Sequence, residues 1–198
     1  MAKLTRETVV SEALDLLDEV GLDAVSTRRL AKRLGVEQPS LYWHFHNKEA
    51  LLSAMAEAAM APHHTAPMPA PSDDWRDWFI ENSRSFRRTL LMRREGARLH
   101  AGSNPRGVGL SRAVEKLRFL VTAGLPERDA QMAMLAASHF TVGSVLEEQA
   151  ADRDATADGD DPPFDHEEAF DAGLALIVDG LAARRRSERP TRTAGRQP

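Results

Sequence analysis

Two groups of side chains in this 198-residue sequence carry recognisable chemistry. The first lies in residues 27–48, TRRLAKRLGVEQPSLYWHFHNK. Gln38 can bond bidentately to an adenine edge, and Pro39, Ser40 and Tyr42 can touch thymine methyl groups. Arg28, Arg29, Lys32, Arg33 and Lys48 surround them against a single Glu37. That balance suits a surface whose cations hold phosphates while its polar groups read bases. An ordinary helical corner with solvated cations is the plainer reading, but it gives no purpose to exposed Tyr42 and Trp43 beside Gln38. The second group is dispersed. His64 stands in a Pro-rich stretch, Asn82 and Phe86 share a helical face by their spacing of four, His100 precedes a glycine-containing break, and Glu147 closes an Ala/Met-rich run. An imidazole and a carboxylate suit a cation, yet His100 and Glu147 alone leave an octahedral shell to be completed by ligand oxygens and water. The alternative is a set of satisfied polar residues in a helical bundle. His63, His139 and His166 fall in no ligand spacing.

The elements that must position these groups are helical throughout. Ser26 or Thr27 can start a short helix that Gly35 stops, Val36 and Glu37 turn the chain, and Pro39 suits the first position of a second helix running to Phe45. Leu30, Leu34, Leu41 and Phe45 face inward, which leaves Gln38, Ser40, Tyr42, Trp43 and His44 outward or flanking. That is a helix-turn-helix. Residues 5–20 form its scaffold helix, and Asn47 caps a fourth helix expected to end near Pro62.

Residues 62–72 carry four prolines and no periodicity, so they read as a loop between a small head and a larger body. Helices follow over 73–94, 111–122, 126–149 and 166–185, separated by the break at 102–109 and a mobile acidic stretch at 152–165. The last helix is apolar on more than one stripe, as at a subunit interface. The expected architecture is all-α. A DNA-binding head (1–47) passes through a connecting helix (48–62) to a ligand-binding and dimerisation body (63–185) and a disordered basic tail (186–198).

Composition is compatible with this plan. There is no cysteine, which fits a reducing cytoplasm, and no apolar run long enough for a membrane span. The net charge of −4 argues superficially against nucleic acid, but acid gathers at 152–168 and base at 28–33.

The run QPSLYWHFHNKEAL resembles the signature of the tetracycline-repressor family, and the resemblance continues through SFRRTLL, EGARLHAG, LRFL and SHFTVGSVLE. It implies a homodimeric repressor on a palindromic operator, its last two long helices pairing in a four-helix bundle, released by a magnesium–tetracycline chelate. In the head, Arg28, Gln38, Pro39, Tyr42, His44 and Lys48 match DNA-contacting positions and Ser40 replaces a threonine; Thr27 and Trp43 complete the expected contact set. In the body, His64, Asn82 and Phe86 match positions that hold the drug. His100 matches the direct magnesium ligand, and Glu147 a carboxylate reaching the metal through water. Ser103, Pro105 and Lys116 join the expected ligand set. Ser103 stands for threonine, Asn104 for arginine and Lys116 for a drug-contacting glutamine. Two other readings stand beside this one: a family member sensing another polyketide or aromatic ligand without metal, and a metal-dependent enzyme, against which stands the absence of any nucleophile motif or third protein ligand.

Overall fold

The computed structural model describes residues 4–101, 107–158 and 165–187. Among these, every regular element is a helix. Helix α1 (Arg6–Val20) begins where Thr5 accepts from the Thr8 N–H at 3.2 Å, and ends at Gly21. A single 3-10 turn (Leu22–Ala24) leads to α2 (Thr27–Leu34), capped by Ser26, whose hydroxyl accepts from the Arg29 N–H. Gly35 closes α2 at φ 66°, a left-handed conformation that a side chain would strain.

Helix α3 (Gln38–Tyr42) starts one residue earlier and stops sooner than its sequence indicates. The His44 N–H turns back to the Leu41 carbonyl at 3.0 Å, tightening the end of the helix and driving Phe45 into the core. Asn47 then caps α4 (Lys48–Ala59), its side chain accepting from the Ala50 N–H at 2.7 Å.

The expected loop at 62–72 begins as a further short helix, α5 (Ala61–His64). Pro62 sits in its first turn, where no N–H is required, so His63 and His64 are helical and not in a loop. Helix α6 (Trp75–Leu91) is capped by Asp74 and is followed by α7 (Gly96–His100) and α8 (Gly107–Thr122). Helix α8 starts inside the expected break, since glycine is tolerated in a first turn. Helix α9 (Glu127–Asp158) passes well beyond residue 149 into the stretch expected to be mobile. Alanines at 150, 151, 155 and 157 favour helix, and the first strong breakers in the sequence are Gly159 and Pro162. Helix α10 (His166–Ser187) extends two residues further than expected. The tail from 188 onward lies outside the described residues.

Three clusters hold the helices together. In the head, Val9 and Leu17 of α1 pack with Leu30, Leu41, Phe45 and Met55. In the body, Phe79 of α6 and Leu120 of α8 meet Phe170 and Leu174 of α10 across the small residues Ala133 and Ala137 of α9. Each of these large side chains contributes about 1.5–3 kcal/mol by leaving water. The third cluster, Met60, Phe86, Leu90, Ala97 and Val145, joins the end of α4 to α6, α7 and α9.

A polar clasp reinforces that junction. The buried Glu95 carboxylate accepts from the Leu22 N–H at 2.6 Å and pairs with Arg98. Arg93 meets Asp18 at 2.6 Å, the Arg94 N–H reaches the same carboxylate at 2.9 Å, and Arg98 reaches Asp23 at 3.0 Å. Glu95 has φ 56°, uncommon for a residue with a side chain, and this backbone turn aims it at the head. No helix among the described residues is long and apolar enough to cross a membrane.

Candidate functional site

In the head, α3 lies across α2 and presents a polar surface. The Gln38 Nε2 donates to Thr27 Oγ1 at 3.0 Å and lies 3.5 Å from the Tyr42 hydroxyl, so Thr27 and Tyr42 fix the direction of the amide. Trp43 is 89% exposed and Tyr42 projects beside it. Pro39 is also exposed, whereas Ser40 and His44 are half-buried. The end of this surface is anchored to α1 by Arg6, which donates to the His44 carbonyl at 3.0 Å and stacks over the Phe45 ring at 4.4 Å.

The surrounding cations divide into two kinds. Arg28, Arg29, Lys32 and Lys48 are exposed, as phosphate contacts require. Arg33, counted in the basic face from sequence, is instead engaged by Glu12 and Glu19 of α1, each at 2.7 Å. These carboxylates hold its guanidinium charge and raise its pKa further. Arg33 braces α2 on α1.

In the body, a cavity of about 300 Å³ opens between α5, α6, α7, α8 and α9. His64, Asn82, Phe86, His100 and Lys116 all line it, although 52 positions of sequence separate the first from the last. Its apolar walls include Trp78 and Met134, and Ser138 and Thr141 add hydroxyls from α9. Gly109 at the start of α8 lies directly against the His64 ring. A Cβ there would stand 2.9 Å from His64 Cε1, so any side chain at 109 would displace the imidazole.

Two lining residues were not singled out by spacing. His63 is buried, its Nδ1 3.1 Å from Ser85 Oγ and its Nε2 2.8 Å from Lys116 Nζ. The Arg112 Nε donates to the His64 carbonyl at 2.9 Å. Adjacent histidines in a Pro-rich stretch gave no sign of which ring turns inward; that depends on the short helix α5.

Burial, followed by the charge of Lys116, lowers the His63 pKa to about 3. Burial likewise lowers His64 and His100, so all three rings are neutral near pH 7. Burial also brings the Lys116 ammonium down to about 8.

His100 stacks edge-on to Phe86 at 5.1 Å, and its buried Nδ1 has no hydrogen-bond partner among the described residues. A neutral imidazole in the cavity lining suits one position of a metal shell. Glu147 does not complete the pair within this chain: it is exposed on α9 and outside the cavity lining. No group of three metal-binding side chains converges among the described residues. Ser103, Asn104 and Pro105 lie outside the described residues.

Comparison with known proteins bears on both surfaces. Residues 9–55 match the family model of bacterial regulatory proteins, tetR family, and residues 68–164 match the tetracyclin repressor-like C-terminal domain. The sequence is 51% identical to the class A tetracycline repressor protein from transposon 1721 of Escherichia coli, across 93% of this chain and 94% of that protein. Among solved structures, SCO0253, a TetR-family transcriptional regulator from Streptomyces coelicolor, is 65% identical over 92% of this chain and 97% of its own, with a TM-score of 0.73. The class A TetR in complex with 5a,6-anhydrotetracycline and magnesium is 49% identical over 91% and 99% of the two chains, with a TM-score of 0.79.

Proposed function

The chain belongs to the tetracycline-repressor family of bacterial transcriptional regulators, and from that membership we propose a homodimeric cytoplasmic repressor that leaves a palindromic operator when its body binds a tetracycline-like drug as a magnesium chelate. As a ligand-responsive DNA-binding regulator it is not an enzyme. The observation that carries the finer reading is the convergence of His64, Asn82, Phe86 and His100 on one cavity beside the helix that bears the head.

Each surface has its part. Gln38, oriented by Thr27, reads a base edge; Pro39, Ser40, Tyr42, Trp43 and His44 flank it; Arg28 and Lys48 hold phosphates. Asn82 and His64 orient the drug's polar edge while Phe86 packs on its rings. His100, in the cavity lining, would hold magnesium through one ring nitrogen, with drug oxygens and water as the other ligands. Magnesium would supply a cation for the drug's oxygens beside His100. Glu147, exposed on α9, would reach the metal through water only from a second copy. Ser103 and Pro105 complete the ligand set.

Metal dependence is the test. With a bound operator fragment, tetracycline plus magnesium should release DNA from the wild type, and excess EDTA should suppress release. The His100→Ala variant should keep drug-free operator affinity and lose drug-induced release. Release at full strength in EDTA would overturn the chelate in favour of an aromatic ligand held without metal. That second reading draws on the absence, among the described residues, of any group of three metal-binding side chains.

A further inference from the structure

The cavity holds a positive charge that no carboxylate of the lining meets among the described residues. Lys116 reaches it from α8, and the bond to His63 Nε2 at 2.8 Å is to a neutral ring. An ammonium only donates, so Nε2 accepts, Nδ1 carries the ring proton, and that proton goes to Ser85 Oγ at 3.1 Å. Ser85, His63 and Lys116 therefore form an oriented chain that ends in a fixed cation.

No aspartate or glutamate lines the cavity among the described residues. The second cation of the lining, Arg112, is turned to the His64 carbonyl, with Glu115 3.5 Å away on the exposed side of α8. Trp78, Phe86 and Met134 add apolar wall to the cavity that Lys116 lines. A charge in such surroundings is costly until an opposite charge meets it, and a neutral imidazole cannot supply one. The lowering of the ammonium to about 8 is the expected sign of that cost.

We infer that the inducer of this chain is an organic anion, whose carboxylate or ionised enol docks on the Lys116 ammonium held by His63. The inference rests on the body cavity being the inducer site. A glutamine, which the family resemblance implies at this position, would offer a neutral amide; lysine adds a full charge and so selects for ligand charge as well as shape. His100 and Phe86 remain available to the rest of the ligand, so the anionic subsite is compatible with a chelated metal and does not depend on one.

Two planar probes of nearly equal shape separate charge from fit. Binding of 9-anthracenecarboxylate and of the neutral 9-anthracenemethanol is followed by quenching of intrinsic tryptophan fluorescence, Trp78 being in the lining, with EDTA present throughout. The wild type should prefer the carboxylate by at least about tenfold, as one charge-assisted hydrogen bond requires. The Lys116→Gln variant should lose that preference, its ratio of carboxylate to alcohol affinity falling to about one, and Lys116→Arg should keep it. Equal affinities in the wild type, no saturable binding of the carboxylate, a preference surviving in Lys116→Gln, or its loss in Lys116→Arg would each overturn the inference. Because no metal is present, this result is independent of the chelate test: either can fail while the other stands.

Discussion

The cavity's chemistry is set by individual protonation states, and these have a consequence for stability. His63 is neutral in the folded chain, with a pKa near 3 against an ordinary 6.5, because burial and the Lys116 charge oppose its cation. A group whose folded pKa is depressed in this way binds protons more readily when unfolded. Its stabilising contribution is therefore full above about pH 6.5 and is lost as pH falls toward 3. Between pH 7 and pH 5 this one ring should cost about 2 kcal/mol, Lys116 being protonated at both and adding nothing. His64 and His100 shift in the same direction and steepen the loss. Urea unfolding at the two pH values tests this: His63→Asn should flatten the pH dependence even if it lowers stability at pH 7, and an unchanged slope would show that His63 is not the buried group responsible. At this scale the sequence was informative about residue type and poor about direction. His64, Asn82, Phe86, His100 and Lys116 were legible. The inward turn of His63, the bracing of Arg33 by Glu12 and Glu19, and the exposure of Glu147 all depend on helix packing that spacing does not encode.

At the scale of elements, the starts of α2 and α4 were legible because each has a local cause: Ser26 and Asn47 cap as their side chains predict, whereas α8 starts four residues before its expected place. Ends were less so. Helix α5 forms in spite of Pro62, and α9 continues past residue 149, because a first-turn proline costs no hydrogen bond and alanine sustains a helix in acidic surroundings. The contact least visible in sequence is the clasp of Glu95 on the head, since it joins residues 73 positions apart. It matters for how a ligand is felt. Helix α7 carries His100 at its end and Glu95 at its start, so any shift of the helix on ligand binding would pull on Leu22 and, through Arg98, on Asp23. The Glu95→Ala variant should leave the part-buried Leu22 N–H without its acceptor and lose about 1–2 kcal/mol of stability. It should also weaken the ligand's effect on operator affinity more than it weakens ligand binding itself. Equal drug affinity with undiminished release would show that α4 alone carries the signal.

For the whole molecule, the question is how one cavity governs two heads. Helix α6, which lines the cavity, is locked to α10 by a bidentate Arg84–Asp171 pair and to α9 by Arg87–Glu148 at 2.7 Å. Helix α10 turns Phe170, Leu174, Val178 and Leu181 inward and α9 turns Ala133 and Ala137, yet the two helices leave Leu176 75% and Met132 52% exposed. In the proposed dimer that outer face meets its copy, and the two α4 helices then set the separation of the recognition helices, about 34–36 Å for successive major grooves. A ligand that favours another separation by about 4 kcal/mol would lower operator affinity roughly a thousandfold. The face can be broken without touching the core: Leu176→Arg places a charge on the outer side while the inward residues of α10 stay as they are. The wild type should sediment as a dimer at micromolar concentration and the variant as a folded monomer. Losing the second half-site should then reduce operator affinity about a hundredfold or more, whatever the state of the cavity, since linked binding contributes about 10²–10⁴. The cavity should still take its ligand in the monomer, apart from any help from Glu147 of a second copy. A variant that remains dimeric would move the interface elsewhere, and a monomer that binds the operator as tightly as the wild type would remove the need for two heads altogether.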